Sequence, residues 1–206
     1  MIDYNKLSGM QLDALKEVGN IGAAHAATAL SQIIDKTVSI NVSRIEVIPV
    51  SDISKVMGGP TVESVVARMY IFGNIKGGIL LALTKKDALF FTDLLKGAGH
   101  GTTAFLDEIG QSALKEAGSI LAASYLKAIS DFLKLSLIPS APVLMFGEIK
   151  EILDKALSEL TKRSEIAFCI ETEFLESGSS VNGHFLLIPE IGSLEVILKA
   201  LGVSDK

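Results

Sequence analysis

Asp13, Glu17 and Asn20 stand at i, i+4 and i+7 in a segment whose apolar residues recur at helical spacing, so one helix would carry all three on a single stripe. Two carboxylates and a primary amide offer negative charge and a paired hydrogen-bond donor and acceptor. A core stripe through Leu12, Leu15, Val18 and Ile21 is distinct from this polar face, so the three need not point inward. On an isolated helix the same residues read as solvated charges with a tolerated Asn.

Two features of the chain bear on that choice. Gly19 and Gly22 bracket Asn20 in mid-helix, where each glycine costs about 1 kcal/mol relative to alanine. Close approach of another backbone, from a second helix or a bound partner, is what offsets such a cost. The small-residue run Gly22-Ala-Ala-His-Ala-Ala27 favours tight helix packing. The second feature is an internal repeat. Ala14–Ala24 aligns without gaps on Ala113–Ala123, 99 positions later, with 8 of 11 residues identical. The polar triplet thereby recurs as Ser112, Glu116 and Ser119, with glutamate in both copies.

The elements that must position these residues follow the same order in each half. Ser8 to about Ile34 reads as a long helix, with Ser8 as N-cap and Gln11 completing a capping box. Val38–Ser43 and Arg44–Pro49 read as extended, Val62–Phe72 and Ile75–Leu83 as two strands turning at Gly73-Asn74, and Lys85–Lys96 as a helix stopped by Gly97. In the second half Asp107–Leu135 is the long helix and Leu137–Phe146 is extended around Pro139 and Pro142. Glu148–Leu160 is an added helix, Ser164–Leu175 and Val181–Ile188 are strands, and Ser193–Leu201 is the closing helix. The loop Gly97–Thr103 is the one hinge between halves, short and flexible. Bare strand edges on two separate units would invite aggregation. These observations predict an α/β fold spanning residues 1–206 as a single pseudo-two-fold domain, with repeats at about 8–97 and 104–203. Two αββ(β)α-type halves pack two long helices on a shared, mainly antiparallel sheet.

Composition narrows the function classes. The 206 residues are 49% hydrophobic, which excludes intrinsic disorder. No uninterrupted apolar run reaches 18 residues, and Met1–Lys6 lacks a basic patch before an apolar core, so neither membrane insertion nor secretion is expected and the chain is read as cytoplasmic. A net charge of -5 without a basic cluster argues against a nucleic-acid partner. His25, His100 and His184 are scattered, and the single Cys169 lies in an apolar run, so no metal site is expected and the thiol reads as a small buried hydrophobe. Gly19-Asn-Ile-Gly22 is no dinucleotide fingerprint, Gly58-Gly-Pro60 and Gly97–Gly101 lack the Lys-Ser/Thr of a phosphate loop, and no Gly-x-Ser-x-Gly elbow occurs.

The spacing of Asp13, Glu17 and Asn20, and the phrase Leu15-Lys-Glu-Val-Gly-Asn-Ile-Gly-Ala-Ala-His-Ala-Ala-Thr-Ala-Leu30, resemble the CheC/CheX/FliY phosphatase family of bacterial and archaeal chemotaxis. That resemblance, which runs from end to end of the chain, implies hydrolysis of the aspartyl phosphate on the response regulator CheY. It implies that Asn20 orients the attacking water, that Glu17 meets the regulator's active-site lysine, and that Asp13 supports docking. Magnesium would sit on the partner, with no cofactor in this chain. The deamidase CheD is a further implied partner. The family's proline falls 23 positions after the Asn; the second copy has Pro142 there, but the first has Ser43. The second copy keeps Ser112, Glu116 and Pro142 yet has Ser119 where the family has Asn, which makes it a degenerate site. The alternative is a non-catalytic module that binds phosphorylated CheY or regulates CheD, since the middle domain of the switch protein FliM resembles the same fold without the catalytic pair.

Overall fold

A computed structural model of the chain describes residues 9–158, 165–176 and 178–202; Met1–Lys6, Ser8, Leu160 and Ser164, named above, lie outside them. The first half runs α1 (Gly9–Ile34), β1 (Ser39–Pro49), a single 3-10 turn (Val50–Asp52), α2 (Ile53–Val56), β2 (Glu63–Gly73), β3 (Gly77–Thr84) and α3 (Lys85–Lys96). The second runs α4 (Glu108–Leu133), β4 (Leu137–Pro139), β5 (Val143–Glu148), α5 (Ile149–Ser158), β6 (Ile166–Glu176), β7 (Ser179–Pro189) and α6 (Ile191–Ala200). No helix among the described residues is long and apolar enough to cross a membrane.

All seven strands form one antiparallel sheet, ordered β1-β6-β7-β3-β2-β4 with β5 also beside β2. The hairpins β2/β3 and β6/β7 meet through β3 and β7 at the centre. Each then receives the opposite half's first strand at its outer side: β1 pairs with β6, while β4 and β5 pair with β2. The halves are therefore interlocked through backbone hydrogen bonds. The long helices share one sheet face with α3 and α6, over a core that includes Tyr125, Phe91, Phe174 and Phe185. A second core on the opposite face holds Ile53 and Met57 against Ile149, Ile152 and Leu153. Cys169 belongs to it, and burial pushes its thiol up to about 12, so it is an inert hydrophobe at neutral pH.

Two expectations need correction. The helix α5 is not an addition to the second half, because the turn and helix over Val50–Val56 occupy the corresponding place in the first and pack on the same sheet face. A four-residue helix carries too few turns to show a period. The loop Gly97–Thr103 is not a flexible hinge. The buried Asp93 of α3 accepts from the backbone N–H groups of Gly101 (2.7 Å), Thr102 (3.1 Å) and Thr103 (2.8 Å) and from the Thr102 hydroxyl (3.0 Å), which fixes the path between halves. Asp107 then N-caps α4 by accepting from Gly110 N–H at 2.7 Å, with Lys96 at 2.9 Å.

The repeat is also visible where the long helices end. Asp35 and Lys134, again 99 positions apart, both adopt left-handed backbone, with φ of 53° and 57°. One turn earlier Ser31 accepts from Val38 N–H, while the Ser130 hydroxyl donates to the Leu135 carbonyl, so each helix is latched to the strand it feeds. A left-handed non-glycine residue costs about 1 kcal/mol. Lys134→Gly should therefore raise unfolding stability by about 0.5–1 kcal/mol, read as a higher urea midpoint at unchanged slope.

Candidate functional site

On α1 the buried residues are Val18, Gly19, Gly22, Ala23, Ala26 and Leu30, with Leu15 packed against the same core. Asp13, Glu17 and Asn20 are all exposed. At 100° per residue the two sets lie on opposite sides of the helix. The expected core stripe is wrong at Ile21, which is 43% exposed and stands beside Glu17 at the border of the outer face. The difference has a physical reason. The small residues, not the large one, face the core here, because α4 and β1 come too close for a side chain.

The glycines measure that closeness. A Cβ at Gly22 would stand 3.0 Å from the Cα of Tyr125 on α4 and 2.8 Å from its ring, and one at Gly19 would meet Ile45 of β1 at 2.6 Å. The packing role expected of these glycines is what the structure has, with the second helix and the first strand as the approaching elements. Gly22→Ala gains helix propensity of about 1 kcal/mol but must push the two long helices apart. Net destabilisation of about 1–2 kcal/mol is expected, visible as a Tm drop of several degrees, because the contact is with backbone that cannot rotate away.

Neither Glu17 nor Asn20 is engaged by another side chain among the described residues, and the same holds for Asp13. The exposed face therefore presents two carboxylates and an amide to whatever docks there. On α4 the repeat places Ser112 and Glu116 in the open as well, but Ser119 is half-buried. Farther along that stripe Lys127, paired with Asp131 at 3.0 Å, replaces Thr28 of the first copy. The second face is thus less acidic, more closed at the third position and without the amide. The two faces belong to different helices, and each is a self-contained stripe.

Ser43 and Pro142 occupy related breaks. Ser43 sits at the irregularity in β1 between Val42 and Arg44, with its hydroxyl donating to the Glu171 carbonyl at 3.4 Å. Pro142 sits in the gap that separates β4 from β5. Proline removes a ladder donor and splits the strand in two, whereas serine leaves a bulge. The first copy therefore tolerates the missing proline, because the strand beside α1 still bends at the same position.

The model of the CheC-like family matches residues 10–42 and 109–146, segments that begin 99 positions apart and cover nearly all of both long helices, the start of β1, β4 and most of β5. Over these segments the chain is similar to the CheC-like family. It is 29% identical over 205 residues to the CheY-P phosphatase CheC of Bacillus subtilis (strain 168), a match covering 98% of both chains. Two solved structures share the fold. Thermotoga maritima FliY superposes with a TM-score of 0.76 at 23% identity, over 96% of this chain and 98% of that one. The FliM middle domain from H. pylori gives 0.61 at 15% identity, over 94% and 99%.

Proposed function

We propose that the chain is a phosphatase that hydrolyses the aspartyl phosphate of phosphorylated CheY, working through the outer face of α1. The observation that carries this reading is the exposure of Glu17 and Asn20, one turn apart, opposite the core and without a partner among the described residues. An exposed amide can enter another protein's active site and hold a water in line with phosphorus, a positioning role that needs no tuned pKa. Glu17 pairs with the regulator's active-site lysine and fixes the register, and Asp13 adds to the acidic docking face. In this reading magnesium belongs to the partner. The similarity to a CheY-P phosphatase along nearly the whole chain supports the assignment. The face of α4, with Glu116 but Ser119, serves docking more than turnover, and CheD is a further partner in this reading.

The test is the decay of phosphorylated CheY with and without the purified chain. Acceleration at substoichiometric chain is expected. Glu17→Gln should raise KM about 5–10-fold with kcat little changed, and should flatten the loss of activity with salt. Binding to phosphorylated CheY without any acceleration would instead support the module that senses the phosphorylated regulator or acts on CheD. The fold shared with the FliM middle domain keeps that second reading in play.

A further inference from the structure

The outer face of α1 carries more than its polar residues. Met10 is 82% exposed and Ile21 is 43% exposed. Met10, Asp13, Glu17, Asn20 and Ile21 fall within an arc of about 100° around the helix, with the apolar pair along one border and the polar residues beside it. Ala24 and Thr28 continue that ridge and are exposed as well. Among the described residues nothing requires Met10 or Ile21 to be large and apolar there, since the core lies on the opposite side. The repeat supplies an independent observation. Met10 corresponds to Ile109, which is 69% exposed on α4 at the same offset of seven residues before glutamate, whereas Ile120, the counterpart of Ile21, is half-buried against the core. Two helices with different polar triplets thus keep a large apolar side chain in the open at one register.

We propose that Met10 and Ile21 are the apolar contacts of the docked response regulator and set its affinity, while Asn20 sets turnover. This rests on the phosphatase reading, which fixes the occupant. A partner that meets Asn20 covers a footprint of about 800 Å2, roughly 30 Å across. Met10 lies ten residues from Asn20, about 15 Å along the axis, which places it at the rim of such a patch centred on Asn20. The acidic charge of Asp13 and Glu17 fits a partner that offers a lysine in its active site, and desolvation by the two flanking apolar residues strengthens that pairing. Ile109 gives the α4 face the same contact, so a face without the amide still docks.

The experiment compares wild type with the double variant Met10→Gln/Ile21→Gln, a change that keeps length and helix propensity but removes apolarity. Both sites are exposed, and unchanged circular dichroism and Tm confirm folding. The expected result is a KM for phosphorylated CheY raised about tenfold with kcat within twofold, and a less negative heat-capacity change of binding by calorimetry. Ile33→Gln, exposed on α1 but outside the arc, leaves KM unchanged. An unaltered KM in the double variant, with wild type active, overturns the proposal and leaves the phosphatase reading standing. So does a loss of self-association by light scattering with no change in KM. Absence of both binding and acceleration in wild type overturns the phosphatase reading and this proposal together.

Discussion

Replacing Asn20 with alanine should lower kcat for phosphorylated CheY about 100-fold while leaving KM within about threefold, a loss near 2.7 kcal/mol in the barrier. The split follows from geometry. Glu17, Asp13 and the apolar border of the face remain, so docking persists, but the amide that would orient water is gone. Asn20 is exposed and unpartnered among the described residues, so its removal should not unfold the chain, and an unchanged Tm makes the kinetic loss interpretable. Ser119→Ala should change turnover by less than about twofold, since a half-buried hydroxyl already lacks the paired donor and acceptor. Ser119→Asn is the reciprocal experiment: a gain in turnover means that the second face lacks only its amide. Equal losses from Asn20→Ala and Ser119→Ala would remove the distinction between the two faces and the assignment built on it.

Much of this arrangement is legible in the amino-acid sequence. The 99-residue repeat marks both long helices, and apolar runs separated by turn residues mark the two hairpins, because both signals are local. The exposed stripe of Asp13, Glu17 and Asn20 is readable for the same reason. What periodicity cannot supply is pairing between distant strands. Sequence neighbours give β2 with β3 and β6 with β7, but not the exchange that seats β1 beside β6 and β5 beside β2. Ile21 escapes a reading by hydrophobicity, which counts a large apolar residue as core, whereas the close approach of Tyr125 reserves that side for glycine and alanine. The loop after α3 escapes it too, because its glycines signal freedom while the group that removes it, Asp93, belongs to the preceding helix.

That clamp carries the largest stability prediction. Asp93 is 1% exposed, and its carboxylate gathers three backbone donors and one hydroxyl from Gly101–Thr103. Asp93→Ala removes a charged acceptor from four hydrogen bonds, of which only those of Thr102 have a second acceptor in the Gly99 carbonyl, a cost of about 3 kcal/mol. The effect is also pH-dependent, with a defined sign. Burial would raise the Asp93 carboxyl, but the donors from Thr103, Thr102 and Gly101 outweigh it and hold the group below the ordinary aspartate value. A depressed folded-state value means that the ionised form stabilises the fold. The contribution is fully present above the unfolded-state value near 4 and is lost as pH falls through the lower folded value. Asp93→Asn keeps the size but loses that linkage. The difference in unfolding free energy between wild type and Asp93→Asn should therefore be constant between about pH 5 and 8 and shrink below about pH 4. A difference that grows on acidification would mean that Asp93 is held neutral in the fold, and the loop would then need another clamp.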